Sequence, residues 1–207
     1  MYLNCMQVGP LLANCYIIGD YNNKKAAVID PGGNPEDILN ALKEEDFELE
    51  YIILTHGHQD HIGGLPKIKE VTGAPIAIHE KDASMLVSPR DNLSAYMGKE
   101  LTYPSADIEL KDGQELKVGD LILTIIHTPG HTPGGICIKV NDIVFTGDTL
   151  FAGSVGRTDF PGGSFDQLIE SITSKLLPLG DKITIYPGHG GYSTIEQEKS
   201  SNPFLYY

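Results

Sequence analysis

Four side chains able to bind metal fall within six residues, in the stretch Thr55-His56-Gly57-His58-Gln59-Asp60-His61. Residues two apart in an extended chain project to the same side, so His56 and His58 can share one ion. Asp60 and His61 follow once the chain turns, which places them for a second ion beside the first. Neutral imidazole with carboxylate suits zinc, iron or manganese. A lone histidine would read as a core residue, but three histidines and an aspartate at this density do not read as a chance polar loop.

Three later stretches repeat the theme. His131 lies inside Pro129-Gly130-His131-Thr132-Pro133, a stiff turn, whereas His127 still belongs to the preceding strand and reads as core. Asp148 closes Phe145-Thr146-Gly147-Asp148, where a carboxylate can bridge two metals through its two oxygens. His189 stands in Pro187-Gly188-His189-Gly190. Asp30, between a strand and Pro31-Gly32-Gly33, either orients a ligand histidine or caps its own turn. His79 has no ligand partner nearby and reads as structural.

The elements behind these residues follow a pattern: each metal-ligand type comes after an apolar run. The runs are Tyr51–Leu54, Leu121–His127, Ile143–Thr146 and Ile183–Tyr186. Loops at the ends of strands are where α/β sheets place their sites, and loops at the same end of neighbouring strands converge. Further strands are predicted at Leu3–Val8, Asn14–Gly19, Ala26–Ile29, Ile76–Ile78, Glu115–Val118 and Ile136–Val140. Gly119-Asp120 and Asn141-Asp142 are hairpin signals. Helices are predicted over Pro35–Glu45, with Ile38, Leu39 and Leu42 on one face, from the metal loop to about Val71, and over Glu80–Leu86. Two more follow capping patterns, one after Ser164 running to about Leu176 and one after Thr194. Residues 88–105 show no periodicity and read as a surface segment overhanging the site.

The 207 residues suit a single domain, 1–207, without a linker. Apolar content of 41% and charged content of 21% are ordinary for a globular protein. A formal net charge of -13 argues against a nucleic-acid partner, and an anionic substrate would need local positive charge. No stretch is long enough for a membrane helix. Residues 1–19 lack the basic start and apolar core of a signal peptide, so the cytoplasm is the expected location. Cys5, Cys15 and Cys137 have no CxxC spacing and read as buried small hydrophobes in a reducing compartment. A small-molecule substrate and a monomer or small homo-oligomer are expected.

Taken in order, THGHQDH, the His131 loop, GDT at Asp148 and PGHG at His189 resemble the metallo-β-lactamase superfamily, nearly end to end. HTPGHTPGG and FTGDTLFAGSVGRTDFPGG are most similar to short glyoxalase II-like hydrolases. The resemblance implies an α/β fold, a four-layer αβ/βα sandwich of two mixed sheets flanked by helices. It implies two divalent ions, Zn2+ first and Fe or Mn otherwise. One ion would be held by His56, His58 and His131 and the other by Asp60, His61 and His189, with Asp148 bridging. Asp60 and Asp148 are then the carboxylates at the reaction centre; Asp60 is a ligand, with a role as base second. Arg157, where these hydrolases carry a basic residue, is implied to hold a substrate carboxylate; otherwise it pairs with Asp159.

The implied reaction is hydrolysis of a thioester such as S-lactoylglutathione by a hydroxide bridging the two metals. The site would stabilise the oxyanion, and a thiolate leaves without a strong acid. Longer members carry a C-terminal helical domain that helps bind glutathione; none is expected here. The alternative is a persulfide dioxygenase of the same superfamily, similar at GRTDF and HTPGHTPG, with one iron on His58, His131 and Asp148. A secreted β-lactamase is disfavoured by the missing signal peptide, and a nuclease by the acidic charge.

Overall fold

The apolar runs at 13–20 and 26–29 become inner strands whose residues are all buried. The computed structural model describes residues 1–205. In it β2 (Ala13–Asp20), β3 (Lys25–Ile29) and β4 (Glu48–Ile53) lie at the centre of a six-stranded sheet. β1 (Tyr2–Val8) forms one edge, and β5 (Ile76–His79) and β6 (Ile108–Leu110) complete the other side. β1 to β3 pair antiparallel and β3 to β6 parallel, so the sheet is mixed.

A second six-stranded sheet is built from β7 (Glu115–Val118), β8 (Leu121–His127), β9 (Ile136–Val140) and β10 (Ile143–Gly147). After the small hairpin β11 (Leu150–Phe151) and β12 (Ser154–Val155), β13 (Thr184–Pro187) and β14 (Ser193–Thr194) extend it. The inner faces meet through Tyr16, Ile29 and Ile53 on one side and Leu123, Ile138 and Phe145 on the other. Outside the first sheet, α1 (Pro35–Glu44) and α3 (Leu65–Thr72) bury Ile38, Leu42, Leu65 and Ile68. Outside the second, α4 (Phe165–Ser171) with its continuation buries Leu168, Ile172 and Leu176, and α5 (Ile195–Ser201) buries Ile195. Each such side chain contributes about 1.5–3 kcal/mol when taken out of water. The result is the expected αβ/βα sandwich.

Strand direction decides where the loops emerge. β9 is antiparallel to both β8 and β10, and β13 is parallel to β10. The C-terminal ends of β8, β10 and β13 therefore leave the second sheet at one edge. β3 and β4 are parallel, so Asp30 and the His56 loop leave the first sheet together. Hydrogen bonds sew the two edges into one seam. Asn14 N donates to Gly188 O at 2.7 Å, and Ile136 N to Thr55 O at 2.9 Å. Asn14 Nδ2 donates to Pro187 O and Gly190 O, both at 2.9 Å, and Tyr16 OH to Pro187 O at 2.6 Å.

Several expectations change. The helix after the metal loop is two, α2 (Gln59–Ile62) and α3, split at Gly63-Gly64. Gly64 N donates to Pro31 O at 2.7 Å, a close approach that a continuous helix would prevent. The helix predicted over Glu80–Leu86 is a single 3-10 turn at Ala83–Val87. α4 ends at Ser171 and runs on as a π-helical turn, Ile172–Leu176. Cys15 and Cys137 are buried, but Cys5 is exposed. It sits on edge strand β1, where alternate residues face solvent.

Candidate metal centre

The seam brings His131 onto the His56–His61 loop. His58 Nδ1 faces His131 Nε2 at 3.0 Å. His131 Nδ1 donates to the Arg157 carbonyl at 2.7 Å, which leaves its Nε2 as a bare lone pair. The tautomer of His56 follows from its neighbours. Thr55 donates its hydroxyl proton to Asp30 Oδ2 at 2.6 Å, so Thr55 Oγ1 accepts from His56 Nδ1 at 3.1 Å. His56 Nε2 is then a second bare nitrogen, buried and without a hydrogen-bond partner. Donor atoms of His56, His58 and His131 all lie within 4.8 Å of one another.

Asp60, His61 and His189 form a second group within the same limit. His61 Nδ1 donates to Asp30 Oδ2 at 2.9 Å, and its Nε2 lies 3.3 Å from His189 Nε2. His189 Nε2 is also 3.1 Å from Asp60 Oδ2. Asp148 stands between the groups. Its Oδ1 is 3.4 Å from His61 Nε2, and its Oδ2 is 3.7 Å from His131 Nε2 and 3.9 Å from His189 Nε2. Asp148 Oδ1 is buried and unpartnered. A Cβ at Gly188 would run into Asp148 Oδ1 and the His61 ring, so only glycine fits there. Asp30, His56 and His61 make a third group. Asp30 already accepts from Thr55 N, the Thr55 hydroxyl and His61, so its part is to orient the ligand-type residues.

The electrostatics suit cations. Burial, with His61, His58 and His131 nearby, holds His56 well below its ordinary value. Burial and His131 push His58 down to about 3. Burial likewise lowers His131, although Asp148 opposes it. These three are neutral lone-pair donors at neutral pH. The second group behaves oppositely. Burial pulls His61 down, yet Asp148, Asp60 and Asp30 outweigh it and raise His61 to about 10. Burial opposes ionisation of Asp60, but His61 and His189 hold it well below the usual carboxylate range. Positive charge is thus demanded where the carboxylates gather. Buried lone pairs facing one another, with two carboxylates among them, fit divalent ions such as zinc, iron or manganese.

The middle of the 88–105 segment overhangs the site, whereas Tyr103 is buried in the core. Asn92 O accepts from Gln59 N at 2.9 Å, and Leu93, Tyr96 and Met97 line a cleft of about 580 Å³ above the donors. Of the two expectations for Arg157, the ion pair is formed: Nε and Nη2 each meet Asp159 at 2.7 Å. Its main-chain oxygen is what steadies His131.

Asp82 is a residue the sequence reading missed. Fully buried, it accepts from Thr132 Oγ1 at 2.7 Å and Gly134 N at 2.6 Å, and the Gly57 amide also bonds to it. It clamps the loop of His56 and His58 to the loop of His131. His79 is structural, as expected. Its ring stacks on His127 at 4.0 Å, and His127 Nε2 reaches Pro133 O at 2.9 Å. Among the described residues, no helix is long and apolar enough to cross a membrane.

A family model described as the Metallo-beta-lactamase superfamily matches residues 8–189. Hydroxyacylglutathione hydrolase GloC of Haemophilus influenzae is 42% identical over 99% of this chain and 98% of its own. Among solved structures, BLEG-1 B3 metallo-beta-lactamase superposes with a TM-score of 0.94 at 35% identity, covering 100% of both chains. TTHA1623, solved in a di-iron-bound form, gives a TM-score of 0.85 at 32% identity over 98% of this chain and 100% of its own.

Proposed function

Because the chain belongs to the metallo-β-lactamase superfamily, we propose that it is a metal-dependent hydrolase of a small thioester such as S-lactoylglutathione. In this reading His56, His58 and His131 hold one divalent ion and Asp60, His61 and His189 a second. The observation that carries it is Asp148, whose two oxygens face the two histidine groups from between them. The 42% identity to a hydroxyacylglutathione hydrolase supports the thioester. When bound, divalent ions supply an activated water near neutral pH and charge stabilisation for a carbonyl oxygen.

The chain's own residues do the rest. Asp30, Thr55 and the Arg157 carbonyl fix the ring tautomers so that bare nitrogens point inward. Asp60 stays ionised through the nearby His61 and its bond to His189, which suits a ligand rather than a proton carrier. The cleft walls orient the thioester over the donors. A thiolate departs without a general acid, since its parent thiol has a pKa of about 8.5. The proposed setting is the cytoplasm, as a monomer or small homo-oligomer.

Thiol release from S-lactoylglutathione by protein loaded in turn with zinc, iron or manganese tests this, together with elemental analysis. Turnover with two ions per chain is expected. Oxygen consumption with glutathione persulfide and one iron per chain, in place of thiol release, would install the dioxygenase reading instead.

A further inference from the structure

Helix α5 turns one face inward. Ile195, Glu198 and the capping Asn202, at helical spacing, are fully buried, while Glu196, Gln197 and Lys199 face solvent. A carboxyl taken out of water is costly unless its oxygens are answered. Both oxygens of Glu198 are. Oε1 accepts from the Ser193 hydroxyl, and Oε2 accepts from Gly153 N at 2.8 Å and Asn202 Nδ2 at 2.7 Å. Asn202 Nδ2 also donates to Ser154 O at 3.0 Å.

These bonds reach two segments of the site at once. Ser193, on β14, follows the loop that carries His189. Gly153 and Ser154 belong to the β11–β12 hairpin, which lies between Asp148 and Arg157 along the chain. Phe151 of that hairpin lines the cleft, its ring edge-on to His189 at 6.4 Å. The hairpin cannot hold itself. Its ladder is Leu150 against Val155 and Phe151 against Ser154, and an isolated pair of strands is marginal in water even when longer. Its base is pinned, because Leu150 is buried and Thr146 donates its hydroxyl to Leu150 O at 2.8 Å. Its tip has no such packing: a Cβ on Gly153 would meet nothing within 4 Å. Hydrogen bonds from the C-terminal segment hold it instead.

From this arrangement we infer that Glu198 is a positioning residue for the substrate cleft. By bonding both the hairpin tip and the segment after His189, it fixes the Phe151 wall against the second donor group. The consequence for turnover rests on the thioester reading of the site. A wall touches substrate in the ground state and the transition state alike, so displacing it raises KM more than it lowers kcat. None of the bonds of Glu198 goes to a metal-ligand type, so bound metal should persist without it.

A fluorine label reports the wall independently of turnover. With 4-fluorophenylalanine in place of Phe151, the fluorine resonance should shift when zinc is added, because the ring lies against His189. In Glu198→Ala the resonance should broaden and lose most of that shift. KM for S-lactoylglutathione should rise about fivefold, with kcat and ions per chain held within about twofold. Glu198→Gln should restore the resonance and KM, since its amide oxygen can face Gly153 N while the Ser193 hydroxyl turns to accept from its nitrogen. Should Glu198→Ala fail to fold, Asn202→Ala, which removes the bonds to Ser154 O and Glu198, carries the same readouts in the same direction. A resonance in the unaltered protein that ignores zinc would overturn the inference. So would an unchanged shift in the folded alanine variant, a glutamine variant that behaves like alanine, or a fall in kcat or metal content at constant KM. If the unaltered protein cleaves no S-lactoylglutathione while the resonances follow this pattern, the hydrolase reading falls and the positioning role stands.

Discussion

At the residue scale, the centre depends on lone pairs aimed by neighbours. Asp148→Ala removes the carboxylate that faces both histidine groups. It should leave a folded chain that has lost bound metal and thiol release together, checked by circular dichroism, elemental analysis and a thiol assay. Full turnover by the purified variant would contradict the ligand assignment. Asp30→Ala acts one step further out, since Asp30 holds Thr55 and His61. Its expected effect is a drop in metal affinity of about 10–100-fold, read by competition with a chelating dye. Asp82 gives a pH signature. Burial raises its carboxyl to about 6, against the bonds from Thr132 and Gly134 that favour ionisation. A carboxyl raised on folding contributes stability that is full below about pH 4 and is lost as pH rises through 6. Urea unfolding of metal-free protein should show the stability difference between wild type and Asp82→Asn falling by about 3 kcal/mol over that window. A flat difference would remove the burial argument. The ligand types were legible because few side chains bind metal and each motif that carries them here follows a strand. Asp82 was not, because a single acidic residue in a short turn looks like any solvated one.

At the scale of elements, the seam between the sheets decides whether the two donor groups meet. Asn14 on β2 ties down the loop of His189 through its side-chain amide. Asn14→Ala leaves Gly190 O without its donor and Pro187 O with Tyr16 alone, and should cost about 1–3 kcal/mol. Metal loss from the second group should accompany it, seen as less than two ions per chain. Unchanged stability and metal content would mean that the seam's main-chain bonds suffice. The strands of five or more residues were readable from their apolar runs. β6, β11, β12 and β14 have only two or three residues each, too few for any period to show. The break between α2 and α3 was also hidden, because it comes from packing on a turn thirty residues earlier in the chain. The fold class was legible through the ordered motifs, whereas the apolar cleft walls carry no mark that separates them from ordinary surface.

At the scale of the molecule, metal binding should couple to stability. Ions that bind only the folded chain add about 2.7 kcal/mol each at a hundredfold excess over Kd. For a chain of this size, each kcal/mol moves Tm by about 2–4 °C. Dialysis against a chelator should therefore lower Tm by about 10–20 °C for two ions, and re-addition of zinc should restore it. A Tm indifferent to chelator would show that nothing is held in the folded state. The split of donors between the two halves of the sandwich has a further consequence for how the protein is made. Domains form from the N-terminal side as synthesis proceeds. His56, His58, Asp60 and His61 emerge early, the first triad closes only with His131, and the second waits for His189. A chain stalled on the ribosome between those points would own half a clasp, so the proposed pair of ions would be secured only after both sheets have been translated.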